Sequence, residues 1–244
     1  MFNGILNLNN NERYEDFQSK LNDWIIQNGW EPSNAGAVVL PERKSPPVRV
    51  GYGSSVFHPE YTNGVNTPEV NKRYFLSRTW DPELPIITTF MMNPSAADEL
   101  SGDTTVDFLI DFAKYNGFGT LFVINTSPLI KGSKTEKVDF QEDDCNFYYI
   151  EYAINNSEIV VLGWGENGQK YGVPTLTFNY PLQELLDKNH FKLKVFDYGK
   201  ENSRSIFPKH PRPQVVNQRF SVNHKLIHVS ENKRDKLLQG FNIK

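Results

Sequence analysis

Residues 86–95 read IITTFMMNPS, and the fold turns on how that stretch is taken. Seven apolar or β-branched residues run without a charge and then meet Asn93-Pro94, where proline cannot donate to a strand ladder. A short, nearly continuous apolar run bounded in this way reads as a strand buried on both faces. Three more runs follow it: TLFVIN at 120–125, EIVVLGW at 158–164 and KLKVFDY at 192–198. Helical patterns at about 103–115, 141–155 and 176–189 lie between them. The alternation predicts an α/β domain, a three-layer α/β/α arrangement around a central, mostly parallel four-stranded sheet.

In open parallel sheets, ligands sit beyond the carboxyl ends of the strands. The first run is followed by Asn93-Pro94-Ser95-Ala96-Ala97-Asp98 and then Asp103-Thr104-Thr105. The second ends in Asn125-Thr126-Ser127-Pro128, the third in Gly163-Trp164-Gly165, and the fourth leads on to Lys209-His210-Pro211-Arg212-Pro213. Four polar, conformationally restricted loops delivered to one edge point to a pocket for a small molecule or a base.

Working outward, KRYFLSRTW (72–80) and DPELP (81–85) read as a further strand and a turn before the first run. Arg78 and Trp80 there either clamp the domain or border the site. Residues 11–29 space Tyr14, Phe17, Leu21, Trp24 and Ile25 as an amphipathic helix closed by Gly29. From Pro32 to Pro68 the chain is rich in Pro, Gly and Ser, with β-like pieces at 37–40 and 48–50. The expected organisation is an N-terminal helix and irregular or β-rich extension (1–71), the α/β domain (72–215) and a basic C-terminal segment (216–244).

Composition narrows the class. With 244 residues, 38% hydrophobic and 23% charged, the chain is neither disordered nor of low complexity. No apolar run approaches the roughly 18 residues that span a bilayer, and MFNGILNLNNNERYED lacks a signal layout, so a cytoplasmic protein without membrane association is expected. The single cysteine, Cys145, excludes an internal disulfide and reads as helix packing. Histidines 58, 190, 210, 224 and 228 show no compact metal spacing, and there is no GxGxxG, P-loop or GxSxG motif, so no metal and no cofactor are expected. Residues 200–244 carry ten Lys/Arg against three Asp/Glu, a net +7, so residues 1–199 balance at −10. That asymmetry reads either as a nucleic-acid-facing strip, with Arg204, Lys209, Arg212, Arg219 and Lys225 on phosphates, or as a solvated tail.

The order of motifs resembles the uracil-DNA glycosylase superfamily. There the first strand ends in Asp-Pro-Tyr or, in the mismatch-specific branch, Asn-Pro-Gly. The second ends in a base-reading Asn, a later apolar run ends in Trp-Gly, and the fourth leads to His-Pro-Ser-Pro. Asn93-Pro94-Ser95, Asn125, Trp164-Gly165 and His210-Pro211-Arg212-Pro213 are the counterparts. A closer resemblance, over about 72–215, is to an uncharacterised bacterial and phage domain family (domain of unknown function 1643). It rests on Arg73-Tyr74-Phe75-Leu76-Ser77-Arg78-Thr79-Trp80-Asp81, Met92-Asn93-Pro94-Ser95-Ala96-Ala97-Asp98, Asp103-Thr104-Thr105 and His210-Pro211-Arg212-Pro213.

The resemblance implies a uracil-DNA-glycosylase-like fold and a metal-free DNA glycosylase, with DNA as partner and no obligate protein partner. It would hydrolyse the N-glycosidic bond of a damaged or modified pyrimidine and leave an abasic site, in repair or antiviral defence. Asn93 and His210 would be catalytic, with Asp98 and Asp103 as alternative water activators. Ser95, Asn125 and Trp164 would meet the base; Lys209, Arg212, Arg204 and Arg219 would meet phosphates. Ser95 replaces a Tyr that excludes a 5-methyl group, which implies a 5-substituted, phage-type pyrimidine. Other readings stay open: Asn93 as an Asx-turn, Asp103 as a helix cap, Asn125 as a tie between loops, Trp164 as core. At the level of function, the alternatives are a nucleoside or nucleotide N-glycosidase and a non-catalytic nucleic-acid or nucleotide binding module.

Overall fold

All four apolar runs form strands in the computed structural model, which describes residues 52–61, 67–95, 103–131, 135–197, 207–212, 219–230 and 237. They are β3 (Ile86–Met91), β4 (Thr120–Asn125), β5 (Ile159–Leu162) and β6 (Leu193–Phe196), and they pair in parallel in the order β4-β3-β5-β6. The sheet is larger and more mixed than the four strands expected. β1 (Tyr52–Phe57) and β2 (Arg73–Thr79) add antiparallel strands beside β4, and β7 (Leu226–His228) adds one beside β6, giving β1-β2-β4-β3-β5-β6-β7. The sheet therefore runs past both ends of the 72–215 range. KRYFLSRTW forms the further strand read before the first run, as β2, while β7 is too short to show a pattern. β2 is buried along its whole length although RYFLSRT carries two arginines, a serine and a threonine. β7 has only three residues, mostly exposed. The expected helix at 11–29 and the β-like pieces at 37–40 and 48–50 lie outside the described residues.

Alternate residues of the same strand fall into two separate apolar clusters, as the period of two in a strand requires. Ile87, Leu121, Val123 and Val161 pack with Phe108, Leu109 and Phe112 of α1 (Thr104–Tyr115). Phe90, Phe122, Ile124, Val160 and Leu162 pack with Phe147, Ile150 and Ile154 of α2 (Asp144–Asn155). Each fully buried side chain of this size contributes about 1.5–3 kcal/mol of burial, so a charge on either face of β3–β5 would be costly. Both helices start on aspartate caps. Asp103 accepts from the amides of Thr105 and Val106, and Asp143 from that of Asn146.

After β5 the chain enters α3 (Gly165–Asn167), a π-helical turn (Gly168–Gly172) and α4 (Val173–Asn179). The helix expected over 176–189 is broken at Tyr180-Pro181, and α5 (Leu182–Lys188) restarts beyond it. The buried Gln169 accepts from the Trp164 indole at 2.9 Å and donates to the Leu237 carbonyl, tying the C-terminal segment to the core. Arg78 and Trp80 stand at the far end of β2. The Arg78 guanidinium donates to Ser77 O at 2.8 Å, and the Trp80 indole donates to Phe118 O at 2.8 Å, tying the end of β2 to the turn before β4. Among the described residues no helix is long and apolar enough to cross a membrane.

The turn that feeds β4 has no room for a side chain. A Cβ on Gly119 would run into the Asp81 carbonyl and stand 2.7 Å from the Leu84 Cβ. Gly119→Ala should therefore destabilise the fold by about 2 kcal/mol or more, read as a lowered urea midpoint with an unchanged m-value.

Candidate functional site

The carboxyl ends of β3 and β4 are flush, with Met91 opposite Asn125. The ladder continues into the loops, because Thr126 N–H donates to Met91 O and Ser127 N–H to Met92 O, both at 2.9 Å. Because β2 is antiparallel to β4, its first residue rather than its last stands at this edge. Arg73 N–H donates to Pro128 O at 2.9 Å. The start of α1 and the His210 loop close the sides.

A pocket with about 350 Å³ of atom-free space, part of it open to solvent, lies here. Met91, Val106, Leu109 and Val123 supply an apolar wall, and Arg73, Asn93, Ser95, Asp103, Thr105, Asn125 and His210 the polar lining. A mixture of an apolar wall and a few polar groups is the lining typical of a small-molecule site.

Asn125 is 1% exposed. Its main-chain carbonyl accepts from the Asn146 side chain at 3.2 Å, but neither Oδ1 nor Nδ2 of its own carboxamide has a protein partner. A buried amide left in that state costs about 1–3 kcal/mol, which a ligand offering one donor and one acceptor removes. Arg73 is equally buried, and its Nη1 approaches Ser95 O at 3.5 Å. The other face of Ser95 is tied as well: its hydroxyl donates to Asp103 Oδ2. Asp103 Oδ1 accepts the Thr105 and Val106 amides at 2.7 and 2.9 Å, so this carboxylate caps α1 and lines the pocket together.

Asn93 is occupied by its neighbours. Its Nδ2 donates to Lys131 O and, at 3.1 Å, to Pro94 O, while its Oδ1 accepts from the Thr135 hydroxyl at 3.2 Å. His210 is held from both sides of its loop. Arg212 N–H donates to His210 Nδ1 at 3.1 Å, so in the neutral ring the proton sits on Nε2. Gly165 N–H donates to Pro208 O at 2.9 Å, from a left-handed φ of +68° that glycine adopts without strain. Burial pushes the His210 pKa below its ordinary 6.5, against the opposing charge of Asp103.

The structure thus brings Asn93, Ser95, Asp103, Asn125 and His210 to one pocket. Trp164 is fully buried in the core against Phe90, ring centroids 5.1 Å apart. Lys209 flanks His210, Arg212 lies over the Phe108 ring at 5.4 Å, and Arg219 is exposed; none of the three lines the pocket. Asp98 and Arg204 lie outside the described residues. Cys145 does not line the pocket. Burial, and then the charge of Asp143, pushes its thiol up to about 12, far from a reactive thiolate. Among the described residues no three His, Cys, Asp or Glu stand together as a metal site. The residue that sequence reasoning overlooked is Arg73. Its signal was an arginine opening an otherwise apolar RYFL segment.

Fold and site together define an α/β protein with a pocket at the carboxyl edge of its parallel strands. The chain belongs to the family described as protein of unknown function (DUF1643), whose model matches residues 73–212 and so takes in every residue of the pocket. No curated protein and no solved structure matches it.

Two measurements test this geometry. Asn125→Leu keeps the volume and removes the buried amide, so it should raise stability by about 1–2 kcal/mol in urea titrations. His210, held below 6.5, contributes stability that is present above that value and is lost as pH falls toward the lower folded value, because the unfolded chain binds the proton first. Wild type should therefore lose stability on acidification through this range more steeply than His210→Gln, with the His210 ring protons titrating below 6.5 by NMR.

Proposed function

We propose that this protein hydrolyses the N-glycosidic bond of a modified pyrimidine in DNA, leaving an abasic site, in repair or in defence against modified phage DNA. The likeness to uracil-DNA glycosylases, including their three-layer fold, belongs to this proposal. The observation that carries it is the Asn125 carboxamide, buried, without a protein partner and set beside an apolar wall that suits a flat ring. A flipped base fills such a site with one planar edge that both donates and accepts.

In this reading the base lies against Met91, Val106, Leu109 and Val123 and pairs with Asn125. Ser95 is small and its hydroxyl is turned to Asp103, which leaves space for a substituent on C5. Asp103, the carboxylate that lines the pocket among the described residues, holds the water. The C1′–N bond breaks with its electron pair passing to the ring nitrogen, and the water oxygen bonds to C1′. One water proton goes to Asp103 and on to the departed base. His210 Nε2–H donates to a base oxygen as charge develops there, a neutral donor that does not depend on protonation at pH 7. Lys209, Arg212 and Arg219 face phosphates.

Oligonucleotides carrying uracil, 5-hydroxymethyluracil, 5-hydroxymethylcytosine or its glucosylated form test the reading. Alkali-labile breaks should appear with at least one of them and fall by about a hundredfold or more in Asn125→Leu, Asp103→Asn and His210→Ala. Base released from free nucleosides but not from polymer moves the activity to nucleosides, and binding without release makes the chain a binding module.

A further inference from the structure

We propose that the pocket takes 4-oxo and 4-amino pyrimidines alike, because the Asn125 carboxamide turns over to meet either edge. This rests on the glycosidic reading above, from which the ligand is a pyrimidine. The two classes share their shape and the oxygen on carbon 2. They differ at positions 3 and 4, where a uracil-type ring presents N–H and C=O and a cytosine-type ring a bare nitrogen and NH2. A site that tells them apart has to hold its own donor and acceptor in one order.

The structure contains one locked amide and one unlocked amide, each just at or beyond the end of a parallel strand. Asn93 Nδ2 donates to Lys131 O and Pro94 O while its Oδ1 accepts from the Thr135 hydroxyl, so turning it over would set an oxygen against two carbonyls. Asn125 is 1% exposed, and neither Oδ1 nor Nδ2 has a partner among the described residues. Asn146 holds Asn125 by its main-chain carbonyl, at 3.2 Å, which fixes the backbone and leaves the side-chain amide in no set order. The oxygen and NH2 of a carboxamide are nearly equal in size. A half-turn about the last side-chain bond therefore exchanges donor and acceptor without disturbing the packing.

The rest of the polar lining imposes no order either. His210 accepts Arg212 N–H at Nδ1, so the neutral ring offers Nε2–H, which suits the carbon-2 oxygen common to both classes. The Ser95 proton is directed to Asp103, and Asp103 accepts two helix amides. The Thr105 hydroxyl, also in the lining, both donates and accepts. Arg73 is engaged by the protein, with Nη1 directed to Ser95 O. Selection then falls to the substituent on C5 and to the sugar, not to the edge at positions 3 and 4.

The test titrates free 5-hydroxymethyluracil and free 5-hydroxymethylcytosine into the full chain near neutral pH, by calorimetry. Their dissociation constants should agree within about tenfold, and Asn125→Leu should weaken both by about tenfold or more. A locked amide would meet the wrong edge donor to donor and acceptor to acceptor, and would separate the two by about a hundredfold or more. A preference above tenfold for either base overturns the proposal, as does no binding of either, or equal binding that persists in folded Asn125→Leu. Abasic-site formation on the modified oligonucleotides is measured with the same preparation. Breaks together with a strong preference remove only the dual reading, whereas two bound bases and no breaks on any DNA remove the glycosidic reading and leave a pyrimidine-binding pocket.

Discussion

Met91 faces Asn125 across the β3–β4 ladder, and the pairing does not stop at the strand ends. Two further main-chain bonds, from Thr126 to Met91 and from Ser127 to Met92, carry the register into the loops. Polar loops are usually placed by their own turns; these two are placed by a sheet buried on both faces. A slip of one residue would move every apolar side chain of β3 to the opposite cluster, so the register is held by the whole core. The pocket inherits that rigidity. Asn125 sits where it does because Ile87, Phe90, Phe122 and Ile124 cannot be elsewhere.

A rigid edge is what allows a polar group to stay buried without a partner. An unpaired carboxamide in a soft loop would turn to solvent or find a neighbouring main-chain group. At the end of β4 the Asn125 backbone is held by the ladder and by the Asn146 side chain, so its amide stays in the pocket at the cost of some stability. Arg73, whose backbone is part of an antiparallel strand, is buried at the same edge. The unpaired Asn125 amide works against stability. The apolar clusters on the two faces of the sheet supply the excess that lets the fold carry it.

Much of this was legible in the sequence. The four parallel strands are nearly uniform apolar runs, and burial on both faces leaves no other pattern for them. Asp103 before Thr104-Thr105-Val106 read as a cap, and it caps. What escaped was whatever depends on a direction of pairing. A reading that inspects the loop after each strand finds Asn93, Asn125 and His210, because parallel strands deliver their carboxyl ends to one edge. It passes over Arg73, because an antiparallel strand delivers its first residue to that edge. β7 escaped for another reason: three residues are too few to show a period. Trp164 was undecidable from its neighbours, and a partner five residues on, Gln169, holds its indole in the core.

Asn93 and Asn125 carry the point further, since both are asparagines that close a parallel strand. Asn93 donates to two carbonyls and accepts from Thr135, and Thr135 in turn accepts through its carbonyl from Asn167, so Asn93 is a fastener between the β3 loop and Lys131 and Thr135. One lone pair on Oδ1 is left to it. The Asn125 amide has no partner among the described residues. Their difference lies in which carbonyls the neighbouring loops bring near, which no local pattern encodes. It also bears on the chemistry. An amide oxygen can accept a second hydrogen bond but is never a base. Asp103 Oδ2, ionised, retains acceptor capacity beyond the Ser95 bond and can take a proton. In the proposed reaction Asp103, the cap of α1, is therefore a stronger claimant on the water than Asn93, which ties the β3 loop to Lys131 and Thr135.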